Sequence, residues 1–158
     1  MKDKFERTLV IIKPDALHRS LLGEIIGRFE RKGLQICGMK MVEMEDLLID
    51  EHYGHHKDKD FFSSLKKYMQ SAPVVVMALA GINAVSAVRL LVGPTRGYEA
   101  DAGSIRGDFS LSAQSNIVHA SDSPTTAQVE IKRFFNDNEL FEYSRADEPF
   151  VYADESFH

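Results

Sequence analysis

The sequence predicts an α/β fold of the α+β sandwich kind, with its elements in the βαββαβ order of a ferredoxin-like core. Three observations lead there. Continuous apolar, β-branched segments at residues 8–13 and 74–80 read as buried strands. Amphipathic helical stripes separate the first strand from the second and the third from the fourth, so helices make those crossovers. The chain has 158 residues, 44% hydrophobic and 27% charged, which suits a single domain with one well-buried core.

Each element has a local cause. The first strand stops at Lys13-Pro14-Asp15, because proline donates nothing to a ladder and biases its predecessor towards extended geometry. Leu22, Ile25, Ile26 and Phe29 then make a helical stripe that Gly33 ends. Residues 34–44 form the second strand candidate. Lys40 breaks its alternation, and either burial of both faces at mid-strand or a bulge near Gly38 accounts for that. Residues 50–71 are charged and helical, with a break at 57–60 and Pro73 closing them. The third strand covers 74–80, apolar enough to be buried on both faces or nearly so. Asn83 is placed to cap a helix running to Leu91 and ended by Gly93. Residues 94–115 show no period, and an unstructured stretch that long is usually functional or disordered. Residues 116–119 form a short fourth strand, and Ser123-Pro124 opens a last helix carrying Val129, Ile131, Phe134 and Phe135. Beyond Asn138 the chain is acidic and aromatic and is expected to lie over the surface or a partner subunit. No internal repeat or low-complexity segment interrupts this order.

Composition narrows the function classes. With 19 Lys+Arg against 24 Asp+Glu the net charge is −5, so bulk electrostatics argue against general nucleic-acid binding. No apolar run approaches the length of a membrane span, and MKDKFER lacks the apolar stretch of a secretory signal. A single cysteine, Cys37, excludes an intrachain disulfide and makes a cytoplasmic location the expectation. It reads as a small core residue rather than a redox centre.

Polar residues at the ends of apolar elements are the candidates for chemistry. Lys13, Arg89 and Arg106 are the cations best placed for an anionic ligand. Each alone is ordinarily a solvated charge or a structural pair. His119, after Ile117-Val118, would alone be a structural histidine, although a neutral imidazole with one ring nitrogen free is also a nucleophile. His52, His55 and His56 fall at helical spacing, but without a fourth ligand they read as solvated helix residues rather than a zinc site. Periodicity does not choose among these readings.

The motifs do. TLVIIKPDA, HY followed by FFSSLKKYMQSAPVV, GSIRGDFS and NIVHASDS, in that order over residues 6–135, resemble the nucleoside diphosphate kinase family. The resemblance implies a four-stranded antiparallel sheet flanked by helices. It also implies transfer of a γ-phosphoryl group from a nucleoside triphosphate to a nucleoside diphosphate, ping-pong, with broad base specificity. His119 would be the nucleophile, phosphorylated on Nδ1, and Glu130 would fix its tautomer, supported by Ser121. Lys13, Tyr53, Arg106 and Asn116 would surround the transferred group and the sugar hydroxyls. Arg89 and Thr95 would take other phosphate oxygens, and Phe61 would stack on the base beside Leu65. Mg²⁺ would arrive with the nucleotide, its phosphates ordered with help from Asp122. Side chains must grip the phosphates, because no Walker-type glycine loop is present. The family also implies a homo-oligomer, a hexamer or a tetramer.

One segment departs from the family. Arg96-Gly97 stands where asparagine-proline is usual, and Ala102 where a further proline is usual. Losing two φ-locked residues is expected to loosen this subunit-contacting loop and lower the urea midpoint for dissociation relative to a proline-bearing relative. Residues 1–158 read as one domain, with 139–158 as a C-terminal extension whose acidic residues, including Asp147, Glu148, Asp154 and Glu155, are a solvated terminus or a subunit contact. Two other function classes fit the same residues. One is a non-catalytic nucleotide-binding scaffold, which would not need His119, Glu130, Lys13 and Arg106 together. The other is a protein phosphotransferase acting through His119.

Overall fold

Four strands make one sheet in the order β2-β3-β1-β4. They are β1 (Phe5–Ile12), β2 (Gln35–Val42), β3 (Val74–Ile82) and β4 (Val118–Ala120) of a computed structural model that describes residues 5–152. Every neighbouring pair is antiparallel. The central strands are apolar without alternation because both of their faces are covered. Leu9, Ile11, Val76 and Ala78 pack into one core layer, and Val10, Ile12, Val75 and Met77 into the other. The first layer is closed by α3 (Asp46–His52), α4 (Phe62–Met69) and α7 (Pro124–Phe134) through Ile49, Leu65, Met69, Ile131 and Phe134. The second is closed by α2 (Leu22–Arg31) and α5 (Ala84–Val92) through Ile25, Phe29 and Val88.

The uneven pattern of β2 has a bulge as its cause. Its register against β3 shifts between Ile36 and Gly38, and the carbonyl of Cys37 accepts a hydrogen bond from Phe141 N–H at 2.8 Å. The segment after Asn138 therefore lies on its own chain. Tyr143 donates its hydroxyl to Ile36 O at 2.9 Å, and Arg145 reaches Gly33 O at 2.9 Å. A short helix α8 (Glu148–Val151) follows; Asp154 and Glu155 lie outside the described residues.

Two local expectations need correction, and one short helix left no sequence signal. Asn83 does not cap α5. It sits in the left-handed region with φ 51° and makes no capping bond, and the Glu6 carboxylate takes Val85 N–H at 3.2 Å instead. The aperiodic stretch holds a helix, α6 (Ile105–Phe109), whose Ser104 cap accepts from Gly107 N–H. A five-residue helix, α1 (Pro14–His18), begins at the proline that ends β1; both helices are too short for periodicity to reveal. Ser123 does cap α7, accepting from Thr126 N–H at 3.1 Å, a contact worth about 1 kcal/mol. Among the described residues no helix is long and apolar enough to cross a membrane.

Candidate active site

The C-terminal end of β1, the start of β4, α3, α5, α7 and the loop around α6 meet at an open cleft of about 960 Å³. The junction is built by backbone pairing between distant segments. Lys13 N–H donates to Ile117 O at 2.9 Å, and the Asp15 carboxylate accepts Ile117 N–H at 3.0 Å while its other oxygen takes the Tyr68 hydroxyl. Ile117 is thereby held at φ 76°, where a β-branched residue is strained by roughly 1–3 kcal/mol. Val118 N–H closes a γ-turn onto Asn116 O at 2.8 Å. This turn pushes the start of β4 to Val118, two residues later than the sequence suggests, and sets His119 on the strand facing α7.

His119 is half-buried, and its Nε2 lies 2.7 Å from Glu130 Oε2 on α7. Nδ1 makes no hydrogen bond among the described residues, which leaves it as the ring nitrogen available for chemistry. Burial alone would raise the Glu130 pKa. The hydrogen bond and charge of His119, with smaller contributions from Ser121 and His52, outweigh it and hold the carboxylate below its ordinary value. Ser121 is fully buried behind the cleft. Its hydroxyl accepts from Leu9 N–H at 3.2 Å and donates to Leu9 O at 3.4 Å, so it anchors β1 to the end of β4, and as a side-chain hydrogen-bond partner it also helps to hold the Glu130 carboxylate below its ordinary pKa.

The cations differ in how free they are. Lys13 is buried, and its Nζ donates to Asn116 Oδ1 at 2.6 Å. Burial first, and the neighbouring Arg106 charge second, pull its pKa to about 7, with Asp15 opposing them. Arg106 gives Nε to Asn116 O at 3.1 Å, one terminal nitrogen to Gly93 O at 3.0 Å and the other to Val118 O at 2.5 Å. It thus ties α6 to the β4 turn, and its remaining N–H groups are free for a ligand. Burial and Arg89 lower it only to about 10, so it stays cationic. Arg89, in the last turn of α5, is exposed on the cleft wall. Asn116 Nδ2 donates to Thr95 O at 2.9 Å, joining the exposed loop to the site.

Of the residues singled out from sequence, Lys13, Tyr53, Phe61, Leu65, Arg89, Thr95, Arg106, Asn116, His119, Asp122 and Glu130 all line this cleft, and Ser121 does not. Phe61 is exposed at the rim, with Leu65 buried below it. Tyr53 is buried, and burial followed by the Glu130 charge raises its phenol pKa. Asp122 is exposed.

His52 is a correction. Helix α3 ends at this residue and 54–56 form a separate 3₁₀ turn, so the three histidines do not share a helical face. His55 stays exposed and His56 half-buried, but the His52 side chain is 1% exposed and packs edge-on against His119, ring centroids 4.7 Å apart. Arg133, half-buried on α7, donates to its Nδ1 at 2.9 Å. Burial first, then the His119 charge, drive the His52 pKa down to about 3, so it is neutral. The sequence signal for this pair was faint: His52 adjoins Tyr53, and Arg133 stands one helical turn after Glu130.

His52, His119 and Glu130 offer ligand atoms within 4.8 Å of one another. They do not make a good cation site. Both imidazole Nε2 atoms already face the Glu130 carboxylate, and Lys13, Arg106 and Arg133 line the same cleft. On the open side, Glu51 and Asp122 are exposed carboxylates among the residues that line the cleft.

The arrangement as a whole is a half-buried, carboxylate-held imidazole facing a cationic cleft with an aromatic rim. The family model described as nucleoside diphosphate kinase matches residues 6–140. A nucleoside diphosphate kinase of Parabacteroides distasonis is 51% identical over 96% of this chain and 99% of its own length. One of Archaeoglobus fulgidus is 50% identical over 94% and 99%. Among solved structures, a halophilic nucleoside diphosphate kinase from Halobacterium salinarum in complex with CDP superposes with a TM-score of 0.91 and 40% identity, over 93% of this chain and 98% of that one. A transition-state mimic of the Borrelia burgdorferi enzyme, with bound vanadate and ADP, superposes with a TM-score of 0.89 and 33% identity, over 95% and 98%.

Proposed function

This chain belongs to the nucleoside diphosphate kinase family and is an enzyme of that kind, and on that premise we propose that it transfers the γ-phosphoryl group through a phosphohistidine at His119. The observation that carries this reading is the 2.7 Å contact between His119 Nε2 and Glu130 Oε2, which occupies one ring nitrogen and leaves Nδ1 without a hydrogen bond among the described residues. In the first half-reaction the Nδ1 lone pair attacks the γ-phosphorus. The N–P bond forms as the bond to the β-phosphate oxygen breaks, and the diphosphate departs with that electron pair. His119 keeps its Nε2 proton, so the ring gains positive charge, and the Glu130 carboxylate is already in place to balance it. In the second half-reaction a terminal oxygen of another nucleoside diphosphate attacks the phosphorus and restores the neutral ring. No proton has to leave the site in either direction.

The remaining cleft residues support positioning more than covalent chemistry, as phosphoryl transfer requires. Lys13 and Arg106 neutralise oxygens of the transferred group, Arg89 and Thr95 those further out, and Asn116 and Lys13 hold the ribose hydroxyl. Tyr53 walls the nucleophile, and Phe61 above Leu65 stacks on any base, which accounts for broad specificity. Mg²⁺, bound through the phosphates with Asp122 nearby, would supply further charge neutralisation. The CDP and the vanadate with ADP held by the two structural relatives are consistent with a nucleotide in this cleft.

We also read residues 1–158 as one domain of this family with 139–158 as an extension, cytoplasmic, without nucleic-acid or membrane partners, and assembled as a homo-oligomer, hexamer or tetramer. Exposed Met39 and Met41 on the edge strand β2, and Tyr98 and Leu111 around α6, favour assembly. The altered loop has its own fastening there, since Gly97 N–H donates to Ser112 O at 3.1 Å, a bond a proline would forfeit. The test is a pulse of labelled ATP with Mg²⁺ followed by GDP. Label that enters wild type but not His119→Ala, and leaves on addition of GDP, supports the kinase. Binding without labelling favours the scaffold, and discharge to protein but not to GDP favours the protein phosphotransferase.

A further inference from the structure

We infer that Arg133 is a positioning residue for this reaction, because it sets the tautomer of the buried His52 and through it steadies the carboxylate that holds His119. The inference rests on the reading of His119 as nucleophile. A guanidinium has only donors, so the 2.9 Å contact from Arg133 to His52 Nδ1 requires that nitrogen to be bare. A neutral His52 then carries its proton on Nε2, and its low pKa, about 3, keeps it neutral through the working range. That nitrogen lies 3.4 Å from Glu130 Oε2, the same oxygen that meets His119.

The contact is too long and too far off line for a full hydrogen bond, and among the described residues neither His52 Nε2 nor Glu130 Oε1, both buried, has a partner at full hydrogen-bond geometry. It acts as an oriented dipole beside the carboxylate, and closing by about 0.5 Å would bring it to ordinary N–H···O length. The opposite tautomer would turn a lone pair on the Glu130 carboxylate and push it away from His119. Glu51, 3.5 Å from Arg133 Nε, steadies the guanidinium from the solvent side. His119 and Lys13 are the other charged or titratable side chains that act on His52, Tyr53 packs edge-on against its ring at 4.6 Å, and the hydrogen bond to His52 Nδ1 comes from Arg133. The same tautomer disfavours a metal at the cluster, since His52 would have to surrender the Nε2 proton while Arg133 holds the other nitrogen.

The test begins with the wild-type enzyme. Long-range ¹H–¹⁵N spectra of histidine-labelled protein are expected to give His52 as the Nε2–H form, and a Nδ1–H form would overturn the inference without any variant. In Arg133→Met, His52 is expected to shift towards Nδ1–H. Single-turnover phosphorylation of His119 is then expected to slow roughly two- to tenfold, the size of losing one oriented neutral contact, with the KM for both nucleotides unchanged. Arg133→Lys, which keeps a donor, is expected to recover the tautomer and most of the rate. An unchanged single-turnover rate in Arg133→Met, whatever the tautomer, would overturn the inference. Absence of phosphohistidine from the wild type would instead sink the nucleophile assignment, and the wild-type spectrum would still decide the part about Arg133.

Discussion

Lys13 gives the sharpest quantitative expectation. In the empty site burial and Arg106 hold its ammonium near pH 7 instead of 10.5, so charging it there costs roughly 5 kcal/mol at about 1.4 kcal/mol per decade. A nucleoside diphosphate brings negative phosphates to Nζ and reverses the balance. The bound site keeps the proton, and the free site has lost it above pH 7. Binding must therefore take up a proton, about half of one at pH 7 and close to one at pH 8.5. The phosphate's own second ionisation, near pH 6, does not interfere there. By linkage the affinity should weaken about tenfold per pH unit between 7 and the pKa of the bound lysine. Calorimetric titration with ADP at pH 8.5, in two buffers of different ionisation enthalpy, counts the protons directly. Lys13→Met should abolish both the uptake and the pH slope. Uptake near zero in the wild type, or uptake surviving in Lys13→Met, would refute the argument.

Three further expectations follow from the same geometry. Glu130→Gln removes the counter-charge to the phosphorylated ring and should slow His119 phosphorylation between about tenfold and 100-fold, the worth of a charged hydrogen bond, in a stopped-flow single turnover; an unchanged rate would contradict the role given to the carboxylate. Phe61→Ala should raise the KM of purine and pyrimidine nucleotides alike by roughly five- to 150-fold, from about 1–3 kcal/mol of base stacking, and an effect confined to one base would argue for edge recognition. Gly107→Ala would place a methyl 1.9 Å from Asp101 O, so a urea melt should report a loss of roughly 1–3 kcal/mol; a neutral result would mean the loop relaxes freely.

How much was legible in the sequence depended on how local the cause was. β1 and β3 were plain because a strand buried on both faces is apolar at every position, as Leu9 to Ile12 and Val74 to Ala80 are. The bulge at Cys37 left a trace in broken alternation at Lys40. Asn83 misled because a residue good at capping is equally good at φ above zero, and the cap came from Glu6, far away in sequence. Helices α1 and α6 were too short to show a period. In the site, the motif residues meet at one cleft, yet sequence could not foresee that Arg106 spends three donors on backbone carbonyls or that Ser121 turns to Leu9. His52 was read as solvated because its burial is tertiary: α3 stops there and folds the ring beneath His119. The contribution of Arg133 depends on a contact between helices 81 residues apart, for which no spacing rule exists.

The central claim is that Glu130 holds Nε2 so that phosphate goes to Nδ1. It is tested most directly by identifying the phosphorylated atom: the enzyme is loaded with ATP and Mg²⁺, kept alkaline, and the phosphohistidine isomer at residue 119 is assigned by ³¹P NMR and peptide mapping. The account predicts the Nδ1 isomer on His119, stable to base and labile to acid; the Nε2 isomer, or phosphate on any other residue, would contradict it.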